Sequence, residues 1–313
     1  MTERVDPTLA TLRPLTGGAI VIIVVCCMCW GISQAAVKTA NTGIPPLLQA
    51  GLRSTFAGLL VYAWAMFRGI SLFERDGTFP AGLIIGISFA ANFMLAYPGL
   101  QYTTASRGVL FIYAMPFFVA IGAHFLIPGD RLTIPKIAGL AAAFVGLALA
   151  LGEGLTAGMS PETGTLLGDL MCFGSAVGWA FSTLLMRTTR LRYAPAEKTL
   201  LYQLVVSAPL LVLASLVIGE GPPSFSDPIV VASFAYTVVV VAFISYVTWI
   251  WLLSRHPASA VTSFTFLAPI FGVIGGAVLL GETISLRTWA ALVLVALGIA
   301  LVNKPVRAAT AKP

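Results

Sequence analysis

Residues 105–118 read ASRGVLFIYAMPFF, and residues 258–271 read ASAVTSFTFLAPIF. Laid one over the other without a gap, they pair Phe111 with Phe264 and Pro116 with Pro269. One gap later GDRLTIPKIAGLAAAFVGLAL meets GETISLRTWAALVLVALGIAL, which sets Asp130 on Glu282 and Gly146 on Gly298. Upstream, WGISQAAVK from Trp30 lies over WAFSTLLMR from Trp179, so Trp, Ser and a basic residue recur in order. An internal duplication is the first thing to look for in a sequence, because it sets the architecture before any single residue is considered. What each copy contains then decides the fold.

Hydrophobic residues make up 58% of the 313 and charged residues only 10%, against about 25% charged in a soluble domain. The mean hydropathy is +0.95. A hydrocarbon core about 30 Å thick takes about 20 apolar helical residues to cross, and this chain supplies such stretches one after another. Windows broken at polar, Gly or Pro positions give ten, at about 17–39, 46–68, 79–102, 105–127, 133–152, 165–187, 196–218, 229–253, 257–280 and 286–303. The first runs past the length of a signal-peptide core without a small-residue cleavage site, so it is expected to be retained. With ten spans, fourteen Lys and Arg fall on the face shared with the termini. Only Lys38, Arg107 and Arg287 fall on the other, and Arg53 lies within a span. Positive charge marks the cytoplasmic side, so both termini are expected there. The formal charge of +6 reports this topology and attraction to anionic lipid rather than nucleic-acid binding.

Ten spans in two copies means five each, and an odd number makes the second copy enter the membrane from the opposite side. The expected fold is therefore an all-α membrane protein of ten transmembrane helices, built as two inverted five-helix repeats. The divisions are a tail at 1–16, repeats at 17–155 and 156–304, and a tail at 305–313. Inverted repeats suit secondary transporters, because two copies related by an axis in the membrane plane can exchange inward-open and outward-open shapes.

The WG.S....K first span, LR in the second, the prolines of the fourth and ninth, and GDRLT and GETIS before the fifth and tenth resemble the drug/metabolite transporter superfamily, in particular its EamA-type ten-helix members. The resemblance covers nearly the whole chain. It implies two EamA repeats around a central path and export or exchange of small metabolites, without naming a cargo.

Single residues refine the path. Cys26 and Cys29 are three apart on a helix, but a tetrahedral metal site needs four ligands, and Cys172, His124 and His256 lie on other spans. The cysteines are therefore expected to pack as small apolar residues, with no metal or cofactor. Trp30, Ser33 and Gln34 share one arc of the first span, repeated by Trp179 and Ser182 in the sixth. Polar groups at membrane depth face protein or water-filled cavities because lipid offers no hydrogen bonds. Interhelical hydrogen bonding is the alternative for the serines, and snorkelling to headgroups for Lys38 and Arg187. Arg53 sits well inside the second span, where an arginine costs several kcal/mol unless partnered or wetted. Its planar guanidinium suits a carboxylate or phosphate, and the resemblance also marks it through LRSTFAGLL; a carbonyl bond to a neighbouring helix or a snorkel outward is the structural alternative. Asn92, Tyr97, Tyr113, Tyr246, Trp249, Thr262 and Thr265 complete the candidate substrate contacts. Pro98, Pro116 and Pro269 are candidate hinges, each removing a backbone donor and bending its helix.

No span carries Asp or Glu near its middle, so the coupling ion stays open. No phosphate-binding G-x-x-x-x-G-K-[ST] is present. The function expected is transport of a small metabolite, an amino acid or a related amphiphilic or zwitterionic compound, by alternating access. The direction expected is export across the cell membrane. The partners expected are that substrate, the lipid bilayer and, through the fifth or tenth span, a second copy of the chain in a homodimer. An intramembrane enzyme or a non-transporting sensor is the alternative.

Overall fold

The computed structural model describes residues 16–126, 165–255, 264–281 and 284–302, with scattered positions between 134 and 149. The long elements among them are helices. Helix α1 is Gly17–Ala40, α2 is Pro46–Phe67 and α3 is Phe79–Tyr102. The fourth span is made of α4 (Ala105–Ile112) and α5 (Met115–Leu126). Helix α6 is Thr165–Thr188, α7 is Ala196–Val217 and α8 is Pro228–Ala235. A π-helical stretch, Tyr236–Ser245, joins α8 to α9 (Tyr246–Arg255). Then come α10 (Leu267–Leu280) and α11 (Leu286–Val302). Of the expected fifth span, the described positions among 137–146 are helical. The division at 155 and Thr262 lie outside the described residues.

Among the described residues, six stretches are long and apolar enough to cross a bilayer: Gly17–Ala40, Phe79–Tyr102, Arg107–Leu126, Leu166–Thr188, Ala196–Val217 and Pro228–Trp249. Their outward side chains are greasy. Leu83, Phe125, Leu167 and Leu213 are all exposed, as hydrocarbon solvent permits, while the backbone bonds stay inside each helix.

The helix ends follow from the local sequence. The hydroxyl of Thr16 accepts from Ala19 N at 3.2 Å, that of Thr104 accepts from Arg107 N at 3.2 Å, and the carboxylate of Asp227 accepts from Ile229 N at 2.8 Å. Each is a side-chain N-cap satisfying an otherwise unpaired donor. Helices α2 and α7 stop in the same way. Gly69 at φ 67° and Gly219 at φ 72° take the left-handed turn. Gly69 N then reaches Met66 O and Ile70 N reaches Ala65 O, while Gly219 N reaches Leu216 O and Glu220 N reaches Ser215 O. This is the Schellman stop, which a glycine makes without steric cost.

Helix α2 packs lengthwise on α7, α3 on α6 and α7, and α1 on α10 and on the α8–π segment. Helix α6 in turn rests on α4 and α5. Small residues set the closest approaches. A Cβ on Gly31 of α1 would lie 2.4 Å from Ala268 O of α10, and one on Gly168 of α6 would lie 2.7 Å from Gly99 O of α3. Without a hydrophobic drive between helices in lipid, such close backbone contact is what holds them together.

The prolines act differently from the expectation of mid-helix kinks. The fourth span is interrupted at Tyr113 and Ala114, and Pro116 is the second residue of the helix that restarts. Pro269 is likewise the third residue of α10, after a short 3-10 turn at Phe264–Phe266. Proline in a first turn removes a donor that has no partner anyway. The fourth span is therefore a broken helix rather than a bent one. Pro98 alone of the three lies inside a continuous helix, α3.

Candidate functional site

Arg53 organises the centre. Only 3% of the residue is exposed. Its Nε donates to the carbonyl of Thr237 at 3.3 Å, and its guanidinium carbon lies 4.9 Å from the Phe93 ring centroid and 6.0 Å from that of Tyr246. One terminal guanidinium nitrogen is buried without a hydrogen-bond partner. The faces of aromatic rings attract a cation, so Phe93 and Tyr246 make the burial tolerable. They do not replace the missing hydrogen bond, which costs roughly 1–3 kcal/mol for a buried donor and more for a charged one.

Around Arg53 the rings interlock. Phe89, Phe93 and Tyr97 form an edge-to-face ladder up α3, with centroids 4.6 and 5.2 Å apart. Trp30 of α1 meets Trp249 at 4.9 Å and Tyr246 at 6.2 Å, and its indole N–H donates to Ser245 Oγ at 2.7 Å. Ser245 passes its own proton to Val241 O at 2.6 Å. Tyr113, at the break between α4 and α5, packs against the same two apolar clusters as Tyr246. The π-helical stretch carries Thr237 near one end and Ser245 at the other, so its wider turn positions the partners of both Arg53 and Trp30. Such insertions are frequent at functional sites.

Two further buried atoms lack partners, Gln49 Oε1 and Asn41 Oδ1. Gln49 donates to Val37 O at 3.3 Å and Asn41 to Tyr97 O at 3.0 Å, so each amide is anchored by its nitrogen while its oxygen stays unbonded. Gln49 and Arg53 are four apart on α2 and share a face.

The other candidates divide. Ser33 bonds locally to Trp30 O at 2.6 Å, and Gln34 reaches Ser33 at 3.4 Å. Asn92 accepts from Ser175, and Ser182 donates to Ser88 at 3.0 Å. Both contacts therefore join α3 to α6, which for Ser182 is the interhelical role named as its alternative. Trp179 is half-buried on the same helix, and its carbonyl holds the Thr183 hydroxyl at 2.9 Å. Thr265 is half-buried in the turn before α10. The structure thus gathers Trp30, Arg53, Tyr97, Tyr113, Tyr246 and Trp249, and places Asn92 and Ser182 in a helix contact.

Sequence reasoning missed Phe93, Thr237 and Ser245. One signal for two of them was available: carrying the ungapped match of 105–118 with 258–271 back twelve residues sets Phe93 on Tyr246, and one more sets Asn92 on Ser245. Lys38 and Arg107 also read differently. Lys38 does not snorkel outward but donates to Thr103 O at 2.7 Å, and Arg107 forms a buried ion pair with Asp169.

Loops tie the two sequence halves at both ends. Glu220 accepts from Leu47 N at 3.0 Å and Leu48 N at 2.9 Å, placing its charge at the N-terminus of α2. At the other end Lys198 of α7 donates to Asp76 at 2.9 Å and to Glu74 O at 2.9 Å. The hydrogen bonds from Lys198 and Thr78 hold the Asp76 carboxyl well below the usual carboxylate range. A hollow of 490 Å³ at this end is lined by Gly77, Pro80, Thr188 and Arg190 among others, and one of 260 Å³ by Trp64, Arg68, Val247, Thr248 and Trp251.

A family described as EamA-like transporters matches residues 17–152 and again residues 166–304. A Bacillus subtilis protein named "Uncharacterized transporter YvbV" is 28% identical over 278 residues, covering 88% of this chain and 88% of that protein. A Salmonella typhimurium protein named "Probable amino-acid metabolite efflux pump" is 28% identical over 293 residues, covering 90% and 92%. The Escherichia coli "Uncharacterized inner membrane transporter YedA" is 23% identical over 296 residues, covering 93% and 91%. A solved crystal structure shares the fold with a TM-score of 0.65 at 20% identity, covering 91% of this chain and 96% of that one.

Proposed function

Because the chain belongs to the EamA-like transporter family, and so is a multi-pass transporter of the cell membrane, we propose that it exports a small carboxylate-bearing metabolite, an amino acid or a related zwitterionic compound, by alternating access. The observation that carries this is Arg53, a buried cation between Phe93 and Tyr246 with one nitrogen left without a partner. No carboxylate among the described residues pairs with it. A cargo carboxylate would complete that guanidinium with the charge-assisted geometry it is built for. Gln49 Oε1, on the same face of α2, offers an acceptor to an ammonium, and Trp30, Tyr97, Tyr113, Tyr246 and Trp249 offer apolar surface to the rest of the molecule. The efflux-pump name of the Salmonella relative supports an amino-acid cargo and export.

Alternating access rests on the two halves being inverted copies. The family matches each half separately. The packing is also reciprocal: α2 meets its counterpart α7, α1 on α10 is answered by α6 on α4 and α5, and α1 on the α8–π segment by α6 on α3. The matched Schellman stops of α2 and α7 agree with this. The charge sorting supports cytoplasmic termini. Exposed Leu286, Trp289, Val293 and Leu297 on α11 support a peripheral tenth span, the surface proposed for a homodimer.

The test is efflux of labelled amino acids from loaded proteoliposomes. Arg53→Ala is expected to cut the rate by at least about tenfold, the loss of one charge-assisted bond of roughly 1.5–3 kcal/mol, while Arg53→Lys retains part of it. Equal rates for Arg53→Ala and the unmodified protein would remove Arg53 from the site.

A further inference from the structure

A second buried charge cluster lies away from Arg53, at the end of the bundle where α1 and α3 finish and α4 and α6 begin. Asp169, fifth residue of α6, is fully buried, and Arg107 of α4 is only 5% exposed. Arg107 Nε donates to Asp169 Oδ1 at 3.3 Å, and a terminal nitrogen of the same guanidinium closes on Oδ2. Thr103, the C-cap of α3, donates its hydroxyl to Asp169 Oδ1 at 2.7 Å, and Lys38 of α1 donates to the Thr103 carbonyl at 2.7 Å. One carboxylate therefore ties α3, α4 and α6 directly and α1 through Thr103. The two-pronged arginine contact is the strong and orientation-specific form of the ion pair.

The cluster has no charged equivalent in the other half of the sequence. The match of Trp30 with Trp179 sets Asp169 on Ile20, and the match of 105–118 with 258–271 sets Arg107 on Ala260. Under exchange of the two halves, the counterparts of Arg107 and Asp169 at the opposite end thus carry no ion pair, and the Lys198–Asp76 pair at that end involves an aspartate one-third exposed. An interaction present in one of two otherwise equivalent states biases the equilibrium between them.

We propose that Arg107 and Asp169 form a latch that shuts the passage at its non-cytoplasmic end, so that the resting protein presents the Arg53 site to the cytoplasm. The latch rests on the transport reading and on the orientation given by the positive charges. Opening it means separating two desolvated charges and admitting water to them, and cargo binding at Arg53 supplies the drive for that step. The asymmetry fits export, since the empty carrier waits open to the side from which it loads.

Cys172 makes the latch observable. It lies three residues beyond Asp169 on α6, fully buried, and packs beside Gly99 and Gly108 of α3 and α4. With Cys26, Cys27 and Cys29 changed to alanine, Cys172 is the single thiol. Its reaction with a membrane-impermeant methanethiosulfonate added to the non-cytoplasmic side of sealed cells then reads opening at that end, with no cargo needed. Labelling is expected to be slow in this background. Asp169→Asn leaves Arg107 buried without its partner and can prevent folding. The working variant is therefore the double change Arg107→Met with Asp169→Leu, which removes both charges together. It is expected to speed labelling by about tenfold or more, as a minor open state becomes a common one, while the exchanged pair Arg107→Asp with Asp169→Arg stays slow. An unchanged labelling rate in the folded double variant would overturn the latch, as would labelling that rises only from the cytoplasmic side. Failure of the transport reading would show separately, as absence of efflux for every amino acid in proteoliposomes whatever the labelling.

Discussion

Trp30 and Ser245 show how one hydrogen bond fixes a whole aromatic wall. The indole N–H has Ser245 Oγ as its partner at 2.7 Å, and the ring then holds Trp249 and Tyr246 edge-on. Ser245→Ala leaves the buried indole donor unmatched and should lower stability by about 1–3 kcal/mol, read as a fall in thermal midpoint in detergent. Trp30→Phe removes donor and need together and should cost less than Ser245→Ala if the hydrogen bond, rather than ring volume, dominates. At this scale the sequence singled out Arg53, because a charge inside an apolar run needs a partner or water, and its bond to Thr237 O is the interhelical carbonyl contact that stood as the alternative to a substrate role. Phe93, one of 19 phenylalanines, has nothing local to set it apart and is marked only by its register with Tyr246. Arg107 was placed only by side, opposite the termini, because its pairing with Asp169 across 62 positions leaves no trace in either neighbourhood.

Whole helices were the most legible elements, since crossing hydrocarbon demands about 20 apolar residues and leaves little freedom in composition. Expected and observed starts agree at Gly17, Pro46, Phe79, Ala105, Thr165 and Ala196. Their irregularities were less legible. Pro116 and Pro269 signal a disturbance but not its kind; Pro116 falls in the first turn of a helix that restarts after a break, and Pro269 in the first turn of α10. The π-helical stretch YTVVVVAFIS (236–245) has no residue that distinguishes it from ordinary helix, so tertiary partners such as Arg53 and Trp30 must hold it. Contact between elements is best tested at Gly31, where a Cβ would meet Ala268 O at 2.4 Å. Gly31→Val should push α1 from α10 and destabilise by about 1–3 kcal/mol, the usual cost of overpacking. Gly17→Ala, with open space around it, should stay within about 0.5 kcal/mol. Equal thermal midpoints for the two variants would mean that the α1–α10 contact gives way freely.

Over the whole molecule, the proposed function depends on one chain folding the same pattern twice in opposite senses; α2 and α7 lie side by side, and Arg53 lies between Phe93 and Tyr246. Those two rings occupy matching positions of the two halves, so a rocking of one half against the other would exchange their contacts with the guanidinium. The loop at Asp76 and the loop at Glu220, at opposite ends of the bundle, tie the halves across α7 and α2. Inversion is therefore the premise on which site, latch and direction all depend. The most direct measurement is the sidedness of two exposed loop positions in a protein whose four cysteines are replaced by alanine, using Thr42→Cys and Tyr193→Cys singly with an impermeant maleimide. The account predicts labelling of position 42 only from outside intact cells and of position 193 only after the cytoplasmic face is opened. Labelling of both positions from one side would contradict it.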